Sequence, residues 1–235
     1  MSPAPPENSP ERPAIRAGQP WGTETSGPAD FEVTGSDGML AAVVARGLTD
    51  PLVRFVPAAD SDLARAVGLV PGAPTAGMAL PLDVLAVGTV DGAEPLLAVN
   101  SVVIGVPPDR LRPWHRPAGL SVEIDGKPVD ASAATSLVVM NGQYLRGFDV
   151  SPRGHPGDGV AEAQLYTLPP AARRAMRARL ATGAHLPHPA ITIRRAHHVS
   201  VRATRPAILE VDGTPAGRVT DLDVTLRPGA YRLLV

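Results

Sequence analysis

Val139–Ala163, VMNGQYLRGFDVSPRGHPGDGVAEA, is the stretch around which the chain is organised. The apolar run Leu137–Met140 leads into it and reads as a buried strand. Asn141 and Gly142 follow as a turn. Gly147, Pro152, Asp158 and Gly159 then punctuate a short exposed loop, and Asp158-Gly159 steps into a second strand, Gly159–Tyr166. So many turn-formers exceed what a simple β-turn requires. The stretch therefore predicts two strands joined by a shaped loop, a place where a site could sit.

Downstream, Pro169–Thr182 reads as a helix, opened by Pro169 and Pro170 and stopped by Gly183. Short strands are expected at Ala190–Ile193, His198–Ala203, Ala207–Val211, Arg218–Thr220, Leu222–Leu226 and Tyr231–Val235. Upstream, Asp83–Val90 and Pro95–Ile104 form a hairpin through Asp91-Gly92. Ser121–Ile124 returns through Asp125-Gly126, and Thr135–Met140 completes the set. Val106–Gly119 reads as loop. Turn residues recur at roughly the spacing of an antiparallel sandwich or barrel.

The start of the chain has a different pattern. Seven prolines fall within Met1–Asp30, too many for a helix, and apolar surface is scarce, so a disordered tail is expected. Phe31–Thr34 is then a strand, Gly35-Ser36-Asp37-Gly38 a tight turn, Met39–Leu48 a helix closed near Gly47, and Pro51–Val56 a second strand. Asp60-Ser61-Asp62 caps a helix over Leu63–Val67 that Gly68 stops. Strand–helix–strand–helix implies parallel strands. The fold class is thus α/β plus β: a tail over 1–30, a reduced α/β unit over 31–80 and a larger antiparallel β-sandwich over 81–235.

Composition narrows the function. With 44% hydrophobic but only 3% aromatic residues, the core must be aliphatic. A net charge of −1 argues against a nucleic-acid partner. The absence of cysteine excludes disulfides, thiolate catalysis and cysteine-bound zinc, and suits a reducing compartment. No apolar run reaches about 18 residues, and no secretory leader is recognisable. A cytoplasmic location is expected, with peripheral membrane contact as its extension.

Taken together, Gly-Ser-Asp-Gly-Met before a helix, Ala-Ala-Asp-Ser-Asp-Leu before the next, the Val139–Ala163 stretch and Val211-Asp-Gly-Thr-Pro215 carry a resemblance. The chain resembles the diacylglycerol kinase and sphingosine kinase family of soluble lipid kinases, related in fold to NAD kinases. The resemblance implies an α/β nucleotide-binding unit joined to a β-sandwich, with the active site in the cleft between them. It also implies transfer of the ATP γ-phosphoryl group to a lipid hydroxyl, with ATP and Mg2+ as cofactors.

Residue by residue, the family's Gly-Gly-Asp-Gly-Thr nucleotide turn falls on Gly35, Ser36, Asp37, Gly38 and Met39. Its Gly-Thr-Gly-Asn-Asp loop falls on Ala58–Asp62, where only Asp62 is kept. Its Asp-Gly-Glu turn falls on Asp212, Gly213 and Thr214, which makes Asp212 the candidate general base. Asp158 matches an aspartate linked to magnesium. The resemblance thus implies a catalytic residue, Asp212; nucleotide-binding residues, Gly35, Asp37, Gly38 and Asp62; and a metal-linked residue, Asp158. Family members also carry a folded segment before the first glycine turn, and a helical insertion where Val106–Gly119 stands here.

Met39 lacks the hydroxyl that would bond phosphate, and Asp60 adds negative charge where phosphates would sit. The expected function is a kinase-like protein with an eroded nucleotide site, a non-catalytic or regulatory relative that binds a lipid or a partner. The alternatives are an active lipid kinase and a subunit that completes its sheet on another chain or a second copy. Ala171–Arg205 adds eight arginines, four histidines and no acid. Its helix either packs by Ala172, Met176 and Leu180 with solvated arginines, or lies on an anionic membrane surface. His185 and His188 have metal-like spacing, but Pro187 and the lack of nearby acids speak against a metal site.

Overall fold

The computed structural model describes residues 21–46, 49–70, 77–89 and 95–235. Asp91-Gly92, Gly47, Leu48 and the first 20 residues of the expected tail lie outside these. Residues 21–30 were expected to be disordered but are ordered. Thr23–Glu24 (β1) pairs with the start of Met78–Thr89 (β4), and the Asp30 carboxylate accepts the Leu52 amide at 2.7 Å.

The strand–helix pattern at the start holds. Phe31–Gly35 (β2) leads into helix Asp37–Val44 (α1), and Leu52–Pro57 (β3) returns parallel to β2. The expected tight turn at 35–38 is a helix start instead. Ser36 is the N-cap, its hydroxyl accepting the Met39 amide, so Asp37 and Gly38 already belong to the helix. Asp62–Val67 (α2) follows, capped by the Ser61 hydroxyl on the Ala64 amide at 3.0 Å and stopped by Gly68 in the left-handed region.

The strand expected over 95–104 is two. Leu96–Ala98 (β5) pairs with β4, while Ser101–Gly105 (β6) pairs with Ser136–Met140 (β9). Leu120–Ile124 (β7) and Lys127–Val129 (β8) form the expected hairpin through Asp125-Gly126. The 139–163 stretch is less exposed than its turn-formers suggest: Asn141, Leu145, Val150 and Ser151 are all buried. Within it, Tyr144–Leu145 (β10) and Phe148–Asp149 (β11) make a two-stranded ribbon. Ala161–Tyr166 (β12) then pairs with β9.

Arg173–Arg179 (α3) sits between 3-10 turns at 170–172 and 180–182, and Gly183 closes it. Ile191–Ala196 (β13) forms an edge on β12. The five short strands expected to the end are two long ones: His198–Val211 (β14) and Thr214–Leu234 (β15). Among the described residues these strands form one sheet of 13, mostly antiparallel. Its path runs β1-β4-β15-β14-β6-β9-β12-β13, and β3 joins the end of β15 in parallel.

Strand alternation explains the layering. On β9, Leu137 and Val139 face the sandwich core with Leu85, Ile104, Leu165 and Leu209. Val138 and Met140 face the opposite way, toward Tyr166, Met176 and Leu180. The central strands are therefore buried on both faces. A third cluster joins Leu40 and Leu63 of the helices to Phe55, Tyr231 and Leu233. No helix among the described residues is long and apolar enough to cross a membrane.

Candidate functional site

The starts of α1 and α2, the β10–β11 ribbon and the β14–β15 turn converge on a cleft of about 510 Å3. Its lining includes Ser36, Asp37, Asp60, Ser61, Asp62, Arg65, Arg110, Arg146, Asp212 and Thr214. Of the residues expected at the site, Asp37, Asp62 and Asp212 thus meet in one cleft, and Gly35 and Gly38 flank Ser36 and Asp37 in sequence.

Each of the three aspartates holds another segment of the cleft in place. The Asp37 carboxylate accepts the Ser61 hydroxyl at 2.5 Å and the Asp62 and Leu63 amides at 3.1 and 3.0 Å, so it caps α2 from across the cleft. Asp62 in turn accepts the Arg146 and Gly147 amides at 2.5 and 2.7 Å. Those two residues have φ of 51° and 77°, the left-handed pair of a tight hairpin turn. Asp212 accepts the Val99, Asn100 and Ser101 amides, each at 2.9 Å. This is why the expected 95–104 strand breaks: three consecutive amides turn toward one carboxylate rather than into the ladder.

Burial sets the electrostatics. It pushes the Asp212 carboxyl up to about 7 against its three amide donors, with the nearby Asp37 charge acting in the same direction. Burial also raises Asp37 and Asp62, again against their hydrogen bonds. The cations are partly spoken for. The Arg146 guanidinium pairs with Asp109 at 2.7 Å and with the buried Glu210. Arg65 lies over the Tyr144 ring, 5.5 Å from its centroid. The first glycine turn is covered as well. Met39 folds back so that its Sδ lies over Gly35, close to where a side-chain carbon on that glycine would sit.

Asp158 sits elsewhere. It is not among the lining residues but lies beside Asp83, and accepts the Val160 amide at 3.1 Å. Asp83 is buried, and its two oxygens take the Gly159 and Gly229 amides at 2.8 and 2.7 Å. Burial pushes the Asp83 carboxyl up to about 6, helped by the charge of Asp158. Among the described residues no three His, Cys, Asp or Glu side chains converge, and Asp158 and Asp83 stand as a pair of neighbouring carboxylates. His185 and His188 belong to no such group either.

Residues 109–235 match the family model of the YegS C-terminal NAD kinase beta sandwich-like domain. The chain belongs to this family. The fold agrees over most of the chain. A diacylglycerol kinase from Bacillus anthracis str. Sterne superposes with a TM-score of 0.65 at 16% identity, over 87% of this chain and 76% of that one. A further structure from the same strain reaches 0.69 at 14% identity, over 87% and 78%. An NAD kinase from Archaeoglobus fulgidus, in complex with ATP, gives 0.50 at 14% identity, over 88% and 78%. No curated protein matches the sequence. The family's β-sandwich accounts for the residues from 109 onward, including the Arg146, Asp158 and Asp212 loops. The α1–α2 side of the cleft lies outside the matched residues.

Sequence reasoning missed Arg65, Arg110 and Arg146 in the cleft and Asp83 behind it. Gly147 was one available signal, since an X-Gly pair between apolar residues marks a two-residue hairpin turn. Nothing local marked Asp83, whose partners lie 76 and 146 residues away.

Proposed function

We propose that the chain is a non-catalytic member of the family, a binding protein on a lipid-kinase scaffold that takes a lipid or a partner without using ATP. The observation that carries this reading is Met39. Its thioether lies over Gly35 at the start of α1, and the side chain has no hydroxyl to offer a phosphate there. Charge supports the same reading. Asp37, Asp60, Asp62 and Asp212 line the cleft against Arg65, Arg110 and Arg146, and Arg146 already faces Asp109 and Glu210. A carboxylate about 4 Å from a phosphate charge costs about 1 kcal/mol in water and about 4 kcal/mol at the effective dielectric of a protein surface.

Thermal unfolding with and without Mg2+-ATP tests the reading. A ligand at 100 times its Kd would contribute about 2.7 kcal/mol through linkage. No rise in Tm is expected here, and no transfer of labelled phosphate to diacylglycerol. A saturable rise would overturn the proposal and favour the active ATP- and magnesium-dependent lipid kinase. One observation stands on that side: Asp212 lies in the cleft with its carboxyl pushed up to about 7, near the working range of a general base. The subunit reading rests on β2, which pairs on one side only among the described residues. A monomer by light scattering would remove that one.

A further inference from the structure

We infer that the 106–119 loop is an anchor for an anionic lipid bilayer, with Trp114 as the inserting side chain and the surrounding arginines as its electrostatic collar. The inference deepens the proposed lipid-binding reading and takes from it only the class of partner. Trp114 is 73% exposed, the most exposed of the large hydrophobic side chains among the described residues. The chain has only two tryptophans, and the other packs against the small-unit core and the His155 ring. An indole has an apolar body and one polar N–H, the combination that settles at a membrane–water interface.

The loop is held rigidly in this presentation. Leu111 is fully buried in the cluster that contains Met176 and Leu180. Arg173, buried on α3, donates through Nη1 to the carbonyls of Arg112, Pro113 and His115 at 2.8, 3.2 and 2.7 Å, and through Nε to Leu168 at 3.0 Å. His115 Nδ1 accepts the Arg112 amide at 3.0 Å. Arg205 reaches across to the Pro117 carbonyl at 2.7 Å. A buried guanidinium whose Nη1 reaches three carbonyls of one loop fixes the backbone on both sides of Trp114. The ordering cost of insertion is thereby met before the membrane arrives.

Charge selects the partner. The loop carries Arg110, Arg112 and Arg116, and Arg205 lies against it, while Arg174 is exposed next to the clamp on α3. The loop's one acid, Asp109, pairs with Arg146 in the cleft at 2.7 Å and more distantly with Arg110 at 3.9 Å, so Arg112, Arg116, Arg174 and Arg205 carry most of the collar's charge. The whole chain is at −1, so this is a local concentration of positive charge, not a general polycation. An exposed aromatic inside a basic collar matches an anionic headgroup layer over acyl chains. Arg110 also lines the cleft, so docking here would place the cleft rim at the bilayer.

Co-sedimentation of the full chain with phosphatidylcholine vesicles, with and without phosphatidylglycerol, tests this. Binding is expected only with phosphatidylglycerol, weakening as salt is raised. Trp114→Ala should reduce it about tenfold. Arg116→Glu with Arg174→Glu should reduce it by at least about fivefold per arginine. Both changes are at exposed positions, and an unchanged Tm confirms that the fold persists. On a Trp21→Phe background, Trp114 emission should shift to the blue on anionic vesicles. Absence of vesicle binding at low salt, binding indifferent to these variants, or retention on duplex DNA without vesicle binding would each overturn the inference. A Tm rise with Mg2+-ATP would overturn the non-catalytic reading and leave this one standing.

Discussion

Asp212 is pulled in two directions. Three amides at 2.9 Å favour its charged form, while partial burial opposes it and wins, pushing the carboxyl up to about 7. A folded-state value above the unfolded one means that the folded protein holds this proton more tightly. Its contribution to stability is therefore full below about 4 and is lost as pH rises toward 7, with a slope of about 1.4 kcal/mol per pH unit for a fully differential proton. Asp212→Asn removes the titration but keeps the size, and places an NH2 group where an amide N–H needs an acceptor. At pH 7 the variant should lose roughly 1–3 kcal/mol from that unpaired donor. The gap between wild type and variant should widen as pH falls from 7 to 5, because only the wild type gains a proton there. Urea titrations at the two pH values measure this. A constant gap would mean that the carboxylate is held charged by its donors. Asp212, Asp37 and Asp62 were each singled out by their motifs, and the three meet in one cleft. What each one holds was not legible, because their partners lie 24 to 113 residues away.

At the scale of elements, the strands that local sequence misjudged are those interrupted by prolines and glycines. Pro206, Pro215, Gly217, Pro228 and Gly229 read as turns, yet all lie within β14 or β15. The register shifts between Arg202 and Ala207, Leu209 and Glu210, and Arg227 and Tyr231 show how the sheet absorbs them, as bulges in otherwise continuous ladders. The β2–α1–β3–α2 order was legible because each boundary had its own chemistry, including the Ser61 cap and the Gly68 stop. The face of α3 was half legible: Met176 and Leu180 are buried as expected, but Arg173 is buried with them rather than solvated. Arg173→Met keeps the stem and removes four hydrogen bonds. It should cost about 2–4 kcal/mol through the orphaned carbonyls. It should also raise amide exchange and protease cutting across 112–116 while leaving β12 protected. Arg173→Lys should restore only part of the protection, because the shorter stem brings one ammonium toward the three loop carbonyls and leaves Leu168 without its Nε donor. Loop protection equal to wild type in both variants would show that Leu111 alone holds the segment.

At the scale of the whole molecule, the two ends of β15 serve different cores. Leu222, Val224 and Leu226 pack in the sandwich, whereas Tyr231 and Leu233 pack with Leu40, Phe55 and Leu63 around the helices. β4 divides in the same way, with Leu80, Leu82 and Val84 on one side and Leu85 and Val87 on the other. The β4–β15 pairing runs through both, broken only by the bulge between Arg227 and Tyr231. Asp83 reinforces that point by taking the Gly229 amide at the bulge and the Gly159 amide from the 139–163 stretch. Two strands shared along their length couple the units more tightly than a linker would. Equilibrium unfolding in urea should therefore follow one transition, with far-UV circular dichroism and Trp21 fluorescence coincident. Removing Tyr231–Val235 should uncouple them. β3 would lose its parallel partner on β15, and the helix-side cluster would lose two buried side chains. The Trp21 signal should then melt at lower urea while most of the strand signal remains. Two transitions in the intact chain, or one unchanged transition after the deletion, would show that the continuity of β15 does not carry the coupling.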